Sequence, residues 1–382
     1  MKKIGIITHY YKSTNYGGNL QAYALCKYLI NEGYEAEQIC YPIFKPNVKI
    51  RVSNFSTFLQ LIRSLISHFI FFPHHIYYKT SKSKTKKAFE NFNLSIIPNS
   101  GKVYNDSNFN ECIENYDVFI TGSDQVWNFS FFRPEYFLES IPSTISKISY
   151  AASISMKSLS DNQQEYLAKV LQDYKSISVR EEYAKDLISG IVQKPIYKVV
   201  DPVFLLSEAE WNDLAYDYRI KDDYIFSYFI GNNNNSREIC RVFARKHGLK
   251  IIDIPMANNQ YRFTGIQIGD IKATDVSPNE FLGLIKNAQF IFTDSFHASV
   301  FSYLFKKQFY VFNRNHNGDM SERIIDIMSQ FGLLPYFCDD SSKESIEYVT
   351  SLPIIDYTKL NDEVVKTNID NSKRYLEESL LK

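Results

Sequence analysis

The residues best suited to chemistry fall into a few short runs. The most pointed is Thr293-Asp294-Ser295-Phe296-His297-Ala298-Ser299, which follows the apolar Phe290-Ile291-Phe292. It delivers Asp294, Ser295 and His297 at the end of a predicted buried strand, where a helix begins. An imidazole moves protons near neutral pH, and a helix N-terminus suits a bound anion. Asp294 beside it is a candidate base. A second run is Thr121-Gly122-Ser123-Asp124-Gln125-Val126-Trp127-Asn128. Ser123, Asp124 and Gln125 can take sugar hydroxyls, and Trp127 can offer an apolar face. An Asp N-cap beside a core Trp is the structural alternative. A third run, Asn15-Tyr16-Gly17-Gly18-Asn19-Leu20-Gln21, has paired glycines that let a backbone approach a ligand. It matches neither a dinucleotide fingerprint nor a P-loop, and a plain tight turn fits it equally.

The candidate anion holders are arginines. Arg180 ends the apolar Ile177-Ser178-Val179 and stands beside Glu181 and Glu182. There it can grip a carboxylate or phosphate bidentately, or form an ion pair with a neighbouring carboxylate. Arg323 lies near the start of a late helix, after a loop with Asn313, Arg314 and His316. This basic group closes around an anion or faces solvent. Gly231, at another strand end, offers close backbone approach to the same ligand. His9, also at a strand end, is a weaker candidate than His297.

Positioning these runs requires strands that end where they begin. Short apolar segments at 4–7, 35–41, 118–121, 147–152, 176–179 and 196–200 alternate with helical periodicity at 19–31, 161–173 and 181–188. After Asp201-Pro202 interrupts the pattern, a second series follows. Strands are expected at 224–230, 250–254, 289–293 and 308–312. Helices are expected at 236–247, 279–287, from 296, at 321–331 and at 361–381. The fold class is therefore α/β, with two doubly wound, Rossmann-like domains facing a cleft. Residues 1–200 form the first, with a helical insertion at about 55–92. Residues 201–350 form the second. Residues 351–382 form a C-terminal helix that crosses back to the first.

Composition narrows the function classes. The 382 residues carry 43 basic and 43 acidic side chains, for a formal net charge of zero. No global field draws in nucleic acid, so an anionic ligand must be held locally. Five scattered cysteines without a paired spacing argue against zinc or a disulfide framework and read as buried thiols in a reducing compartment. The start MKKIGIITHY lacks the long apolar core and cleavage site of a signal peptide. No apolar run reaches 18 residues. The expectation is a cytoplasmic protein. The apolar segment from Phe55, followed by Lys79, Lys82, Lys84, Lys86 and Lys87, reads as a solvated hairpin or as a patch touching the inner face of a membrane.

Together these residues resemble the polysaccharide pyruvyl transferase family. The resemblance rests on NYGGNLQAYAL (15–25), ITGSDQVWN (120–128), Tyr150-Ala151-Ala152-Ser153, Ser178-Val179-Arg180-Glu181, Asp201-Pro202-Val203-Phe204 and FTDSFHASVFS (292–302), and covers about residues 1–340. It implies a fold similar to GT-B glycosyltransferases. It also implies transfer of a pyruvyl group from phosphoenolpyruvate onto two hydroxyls of a sugar in a surface-polysaccharide precursor, for exopolysaccharide or capsule. The product is a cyclic ketal, phosphate is released, and neither cofactor nor metal is needed. The acceptor is a sugar, lipid-linked or free. The family's Arg-Leu-His run reads Ser295-Phe296-His297 here. The histidine carries over to His297 as general acid, whereas Ser295 stands where the arginine would be. Arg180 matches the other donor arginine, and Arg323, Arg314 or a lysine is left to supply the missing charge. The expected catalytic set is His297, Asp294 and Asp124. The donor set is Arg180, Ser295, Arg323 and Gly231. The acceptor set is Asn15, Tyr16, Gly17, Gly18, Gln21, Ser123, Gln125 and Trp127. A GT-B glycosyltransferase using a nucleotide sugar, and a non-catalytic sugar-binding relative, are the alternatives, since fold alone does not fix function.

Overall fold

The computed structural model describes residues 1–42, 72–156, 158–231, 233–254, 269–314, 319–338 and 345–381. Within them the alternation resolves into two parallel sheets. The first contains β1 (Lys3–Ile7), β2 (Glu35–Cys40), β3 (Asn99–Val103), β4 (Val118–Thr121) and β5 (Ser146–Ser149), in the order β3-β2-β1-β4-β5. β6 (Ile177–Val179) and β7 (Ile196–Lys198) pair with each other, and bridges Ile148–Ser176 and Ala152–Val179 join them to β5. The second sheet contains β8 (Tyr224–Tyr228), β9 (Lys250–Asp253), β10 (Ile271–Lys272), β11 (Phe290–Thr293), β12 (Gln308–Phe312) and β13 (Phe337–Cys338), ordered β10-β9-β8-β11-β12-β13. β4, β8 and β12 are buried along their whole length, as strands covered by helices on both faces must be. Strand order reverses beside β1 in one sheet and β8 in the other. Those switch points open a crevice at the carboxyl ends of the strands.

The helices are α1 (Tyr16–Asn31), α2 (Phe72–Ser95), α3 (Asp161–Leu171), α4 (Glu182–Ser189), α5 (Glu208–Leu214), α6 (Asn234–His247), α7 (Pro278–Asn287), α8 (Phe296–Leu304), α9 (Asp319–Gln330), α10 (Ile346–Ser351) and α11 (Glu363–Leu381). Local chemistry sets several of their starts. Ser207 and Ser277 head capping boxes with Glu210 and Glu280, and Asn233 caps α6. α1 begins earlier than helical periodicity suggests, because Asn15 accepts from the Gly18 N–H at 3.2 Å and draws both glycines into the first turn. The insertion expected at 55–92 corresponds in part to α2; its stretch before residue 72 lies outside the described residues. Strand β3 has no counterpart among the expected strands. It is a half-exposed edge of sequence NSGKV with little apolar pattern to mark it.

Contacts tie the two sheets together. The Tyr16 hydroxyl donates to the Val276 carbonyl at 3.0 Å, and its ring stacks on Phe281 at 4.5 Å. Such a ring pair contributes roughly 0.5–1.5 kcal/mol beyond its burial. α11 lies against the first sheet: the Tyr375 hydroxyl donates to the Ser149 carbonyl at 2.8 Å, and Ser372 Oγ accepts from Val200 N–H at 2.9 Å. All five cysteines are buried and free. Among the described residues no helix is long and apolar enough to cross a membrane.

Candidate active site

Three strand ends meet in the crevice. β6 leads into Arg180 and Glu181, β7 leads into Asp201, and β11 leads into His297 in the first turn of α8. Asp201 is fixed by its own turn: its Oδ1 accepts from Val203 N–H at 3.2 Å, with Pro202 at the next position. Asp201 Oδ2 then faces two side chains. Arg180 Nη1 donates to it at 2.6 Å, and His297 Nε2 stands 3.5 Å away. Arg180 Nε donates to Glu181 Oε1 at 3.2 Å, and its Nη2 lies 3.9 Å from Asp124 Oδ1. The guanidinium also covers the Phe296 ring at 5.3 Å. Arg323 reaches the same Glu181 Oε1 at 3.9 Å. Two guanidiniums, one imidazole and three carboxylates are thus gathered in a nearly water-free cluster.

Burial sets the electrostatics. It would raise the Asp201 pKa, but His297 and Arg180 overcome it and hold the carboxyl well below its ordinary range. Burial would also weaken the Arg180 charge, yet Glu181, Asp201 and Asp124 keep its pKa above the usual arginine value. Arg323 is shifted the other way, by burial first and by neighbouring Arg180 second. Among the described residues, several atoms of this cluster stay unsatisfied. Arg180 Nη2, Glu181 Oε2 and His297 Nε2 are buried without a hydrogen-bond partner. Unmade buried hydrogen bonds cost stability, and here three of them fall on side chains of one charged cluster.

The imidazole is seated on glycine. A Cβ built at Gly17 would lie 2.0 Å from His297 Nδ1. Only glycine lets the first turn of α1 support the ring that the first turn of α8 presents. Beside this cluster opens a cavity of about 460 Å³, with Arg180, Asp201, Phe296 and Arg323 in its wall. His297 is not part of that wall, but its Nε2 stands 3.5 Å from Asp201, which is.

The residues expected from sequence separate into those gathered here and those used elsewhere. Arg180, Arg323, Asp124, His297 and Gly17 converge. Asp124 holds a left-handed backbone, φ 69°, which is costly for a non-glycine residue. Asp294 requires a correction as a base. Its two oxygens accept from the Ile230 and Gly231 N–H groups, each at 2.7 Å, so it clasps the end of β8. Gly231 is the other half of that clasp, since a Cβ there would meet Asp294 Oδ2 at 2.8 Å. Arg314 is bound to the same unit through the Asp294 carbonyl at 2.8 Å. Ser295 caps α8 toward the Ala298 N–H. Of the two arginines weighed for the missing family charge, only Arg323 stands beside Arg180.

The acceptor set is corrected more heavily. Trp127 is fully buried, stacks on Phe137 and meets Tyr174 edge to face, so it offers no open face. Gln21 is also fully buried: its Nε2 donates to Thr8 Oγ1 at 3.0 Å and its Oε1 accepts from Ser123 N–H at 3.2 Å. Ser123 Oγ donates to the Ala151 carbonyl. Tyr16 locks the two sheets together, Asn15 and Gly18 form the α1 cap, and Gln125 accepts from Asn128. Sequence reasoning missed Asp201 and Glu181 as members of the site. Asp201-Pro202 was conspicuous, but as a pattern break; that it follows a strand was the usable signal. His9, buried against the Tyr136 ring, has its pKa lowered to about 4 by burial, against a smaller opposing effect of Asp124.

A family model described as polysaccharide pyruvyl transferase matches residues 15–316. No curated protein matches the chain in sequence. Among solved structures, the chain is similar to UDP-GlcNAc 2-epimerase from Methanocaldococcus jannaschii, with 14% identity, 98% of this chain and 99% of that chain covered, and a TM-score of 0.54. It is also similar to UDP-GlcNAc 2-epimerase from Neisseria meningitidis, with 10% identity, 100% of both chains covered, and a TM-score of 0.52. At such identities the likeness is one of fold, and the fold is the two-domain GT-B type with facing Rossmann-like halves. The family match runs through both sheets and takes in Arg180, Asp201 and His297; the chain belongs to the polysaccharide pyruvyl transferase family.

Proposed function

We propose that this protein transfers a pyruvyl group from phosphoenolpyruvate onto two hydroxyls of one sugar in a surface-polysaccharide precursor. The observation that carries the reading is the buried pairing of His297 and Arg180 on a single carboxylate oxygen of Asp201. The donor is a compact anion bearing a phosphate and a carboxylate. Arg180 and Arg323 supply positive charge for it, and the first turn of α8 supplies N–H groups that lack intrahelical partners.

His297 protonates the methylene carbon of the donor, which becomes a methyl group. Asp201 orients the ring and stabilises the imidazolium, as a buried carboxylate does behind a catalytic histidine. One sugar hydroxyl bonds to the central carbon and gives up its proton, for which Asp124 is the base. The C–O bond to phosphate then breaks, the second hydroxyl bonds to the same carbon, and its proton leaves with the phosphate. One phosphoenolpyruvate and one diol thus give one ketal and one hydrogen phosphate. No cofactor or metal enters this scheme.

The test is phosphate release from phosphoenolpyruvate in deuterated water, with candidate glycosides as acceptors. The expected product is a ketal with one deuterium in its methyl group. Release of a nucleoside diphosphate from a nucleotide sugar, with phosphoenolpyruvate untouched, would instead establish a glycosyltransferase. Loss of neither donor would leave only sugar binding.

A further inference from the structure

Most of the loop residues expected to hold the acceptor, Tyr16, Gly17, Gly18, Gln21, Ser123 and Trp127, are buried in the first domain, which leaves the sugar little room there. The cavity beside Arg180 has the chemistry that a sugar needs. Phe204, Phe296 and Ile327 give it an apolar surface, and Gln330, Asn368 and Asn371 give it amides. A pyranose has one face of C–H groups and a rim of hydroxyls, so it pairs with such a wall on both counts. The amides are pre-arranged: Asn368 Nδ2 donates to Gln330 Oε1 at 3.0 Å, and Gln330 Nε2 donates to Asp326 Oδ2 at 3.0 Å. An amide offers two donors and an acceptor with two lone pairs, so this chain keeps capacity for hydroxyls.

The wall also carries four carboxylates, Glu181, Glu182, Asp201 and Asp326, and three cations, Arg180, Lys198 and Arg323, so the two arginines assigned to the donor border the same space. At about 460 Å³ the space falls within the ordinary range for a small-molecule site.

We infer that this cavity is the acceptor subsite and that α9 and α11 select the sugar. The inference rests on the pyruvyl-transfer reading for its chemistry. Gln330, Asn368 and Asn371 all lie beyond residue 316, where the family match ends. Arg323 lies beyond it too, whereas Arg180, Asp201, Phe204 and Phe296 of the same wall lie within it.

Asn371 is exposed on α11, so Asn371→Trp fills the cavity mouth without disturbing the core. Saturation-transfer NMR with a panel of methyl glycosides (gluco, galacto, manno and their N-acetyl forms), without phosphoenolpyruvate, reads binding directly. At least one glycoside gives signals with the wild type, and Asn371→Trp abolishes them. In turnover, Asn368→Ala raises the acceptor KM at least about tenfold and moves the KM for phosphoenolpyruvate less than about twofold. Signals that persist in Asn371→Trp, or a wild type that binds none of the panel, overturn the inference. An unchanged acceptor KM does the same. Failure of the pyruvyl-transfer reading shows separately, as glycoside binding that Asn371→Trp abolishes with no consumption of phosphoenolpyruvate.

Discussion

After β4, Ser123 donates to the Ala151 carbonyl, its backbone N–H reaches Gln21, and Trp127 is packed between Phe137 and Tyr174. After β6, Arg180 meets three carboxylates and still leaves Nη2 without a hydrogen bond, while Glu181 Oε2 and His297 Nε2 are equally unsatisfied. Both regions are polar runs at strand ends, and both are buried. In the first, most polar groups close on one another and on the backbone, with Trp127 Nε1 left over, and they brace the sheet. In the second, three side chains of one charged cluster stop short of closure beside a cavity. Residue type at a strand end does not separate scaffold from site; charged groups left incompletely bonded beside a cavity do.

If that contrast is right, substitutions on the two sides must fail differently. The largest effect is expected at His297. His297→Ala lowers transfer by at least about a hundredfold, the scale of an acid–base group, and a melting curve should show the fold retained. Near-normal turnover would remove the imidazole from the chemistry. Arg180→Ala carries a similar loss of transfer, combined with destabilisation from the carboxylates left unpaired.

Gly17→Ala comes next. The added methyl meets the imidazole at 2.0 Å, so the ring must move. About a tenfold loss of transfer is expected, with the KM for the acceptor nearly constant. A Gly17→Ala enzyme with full activity would show that the seat of His297 is unimportant.

On the scaffold side, Gln21→Ala should cost about 1–3 kcal/mol of stability, the usual scale for partners left unsatisfied in a core, and change transfer less than about threefold. Chemical denaturation and steady-state rates together check it. A large fall in transfer at unchanged stability would move Gln21 into the site and erase the distinction.

A signal that leaves transfer untouched is expected in the pH dependence of stability. The His9 pKa falls from its ordinary 6.5 to about 4 on folding. Between those values the unfolded chain binds more protons, so stability rises with pH across the window and falls as pH drops from about 6.5 toward 4. The linkage is worth up to about 3 kcal/mol. Asp201 adds a separate loss at still lower pH, because its folded-state pKa lies below the ordinary value and protonation must break its pairings. Denaturation midpoints of wild type and His9→Asn, compared at pH 7 and pH 5, test the first effect. The variant should lose less stability on acidification.

The fold was readable because each buried strand is a short apolar run bounded by polar residues, as at Val118–Thr121 and Gln308–Phe312, which the structure reproduces residue for residue. β3 was not readable, since an exposed edge strand needs no apolar pattern. The positions of His297 and Arg180 at strand ends were visible. Asp201 was hidden because its role depends on Arg180 from the neighbouring strand and on His297 from the second sheet, partners that the local sequence does not show. Trp127 misled for a related reason: an indole beside Asp and Gln suits a sugar, but nothing local reveals which way a loop turns its side chains.

Soaking crystals with phosphoenolpyruvate addresses the central claim directly. The account predicts density between the domains, with the phosphate and carboxylate within hydrogen-bond reach of Arg180 and Arg323 and the methylene carbon turned toward His297. Density elsewhere, or a ligand whose methylene carbon is screened from His297 by Asp201, would contradict it.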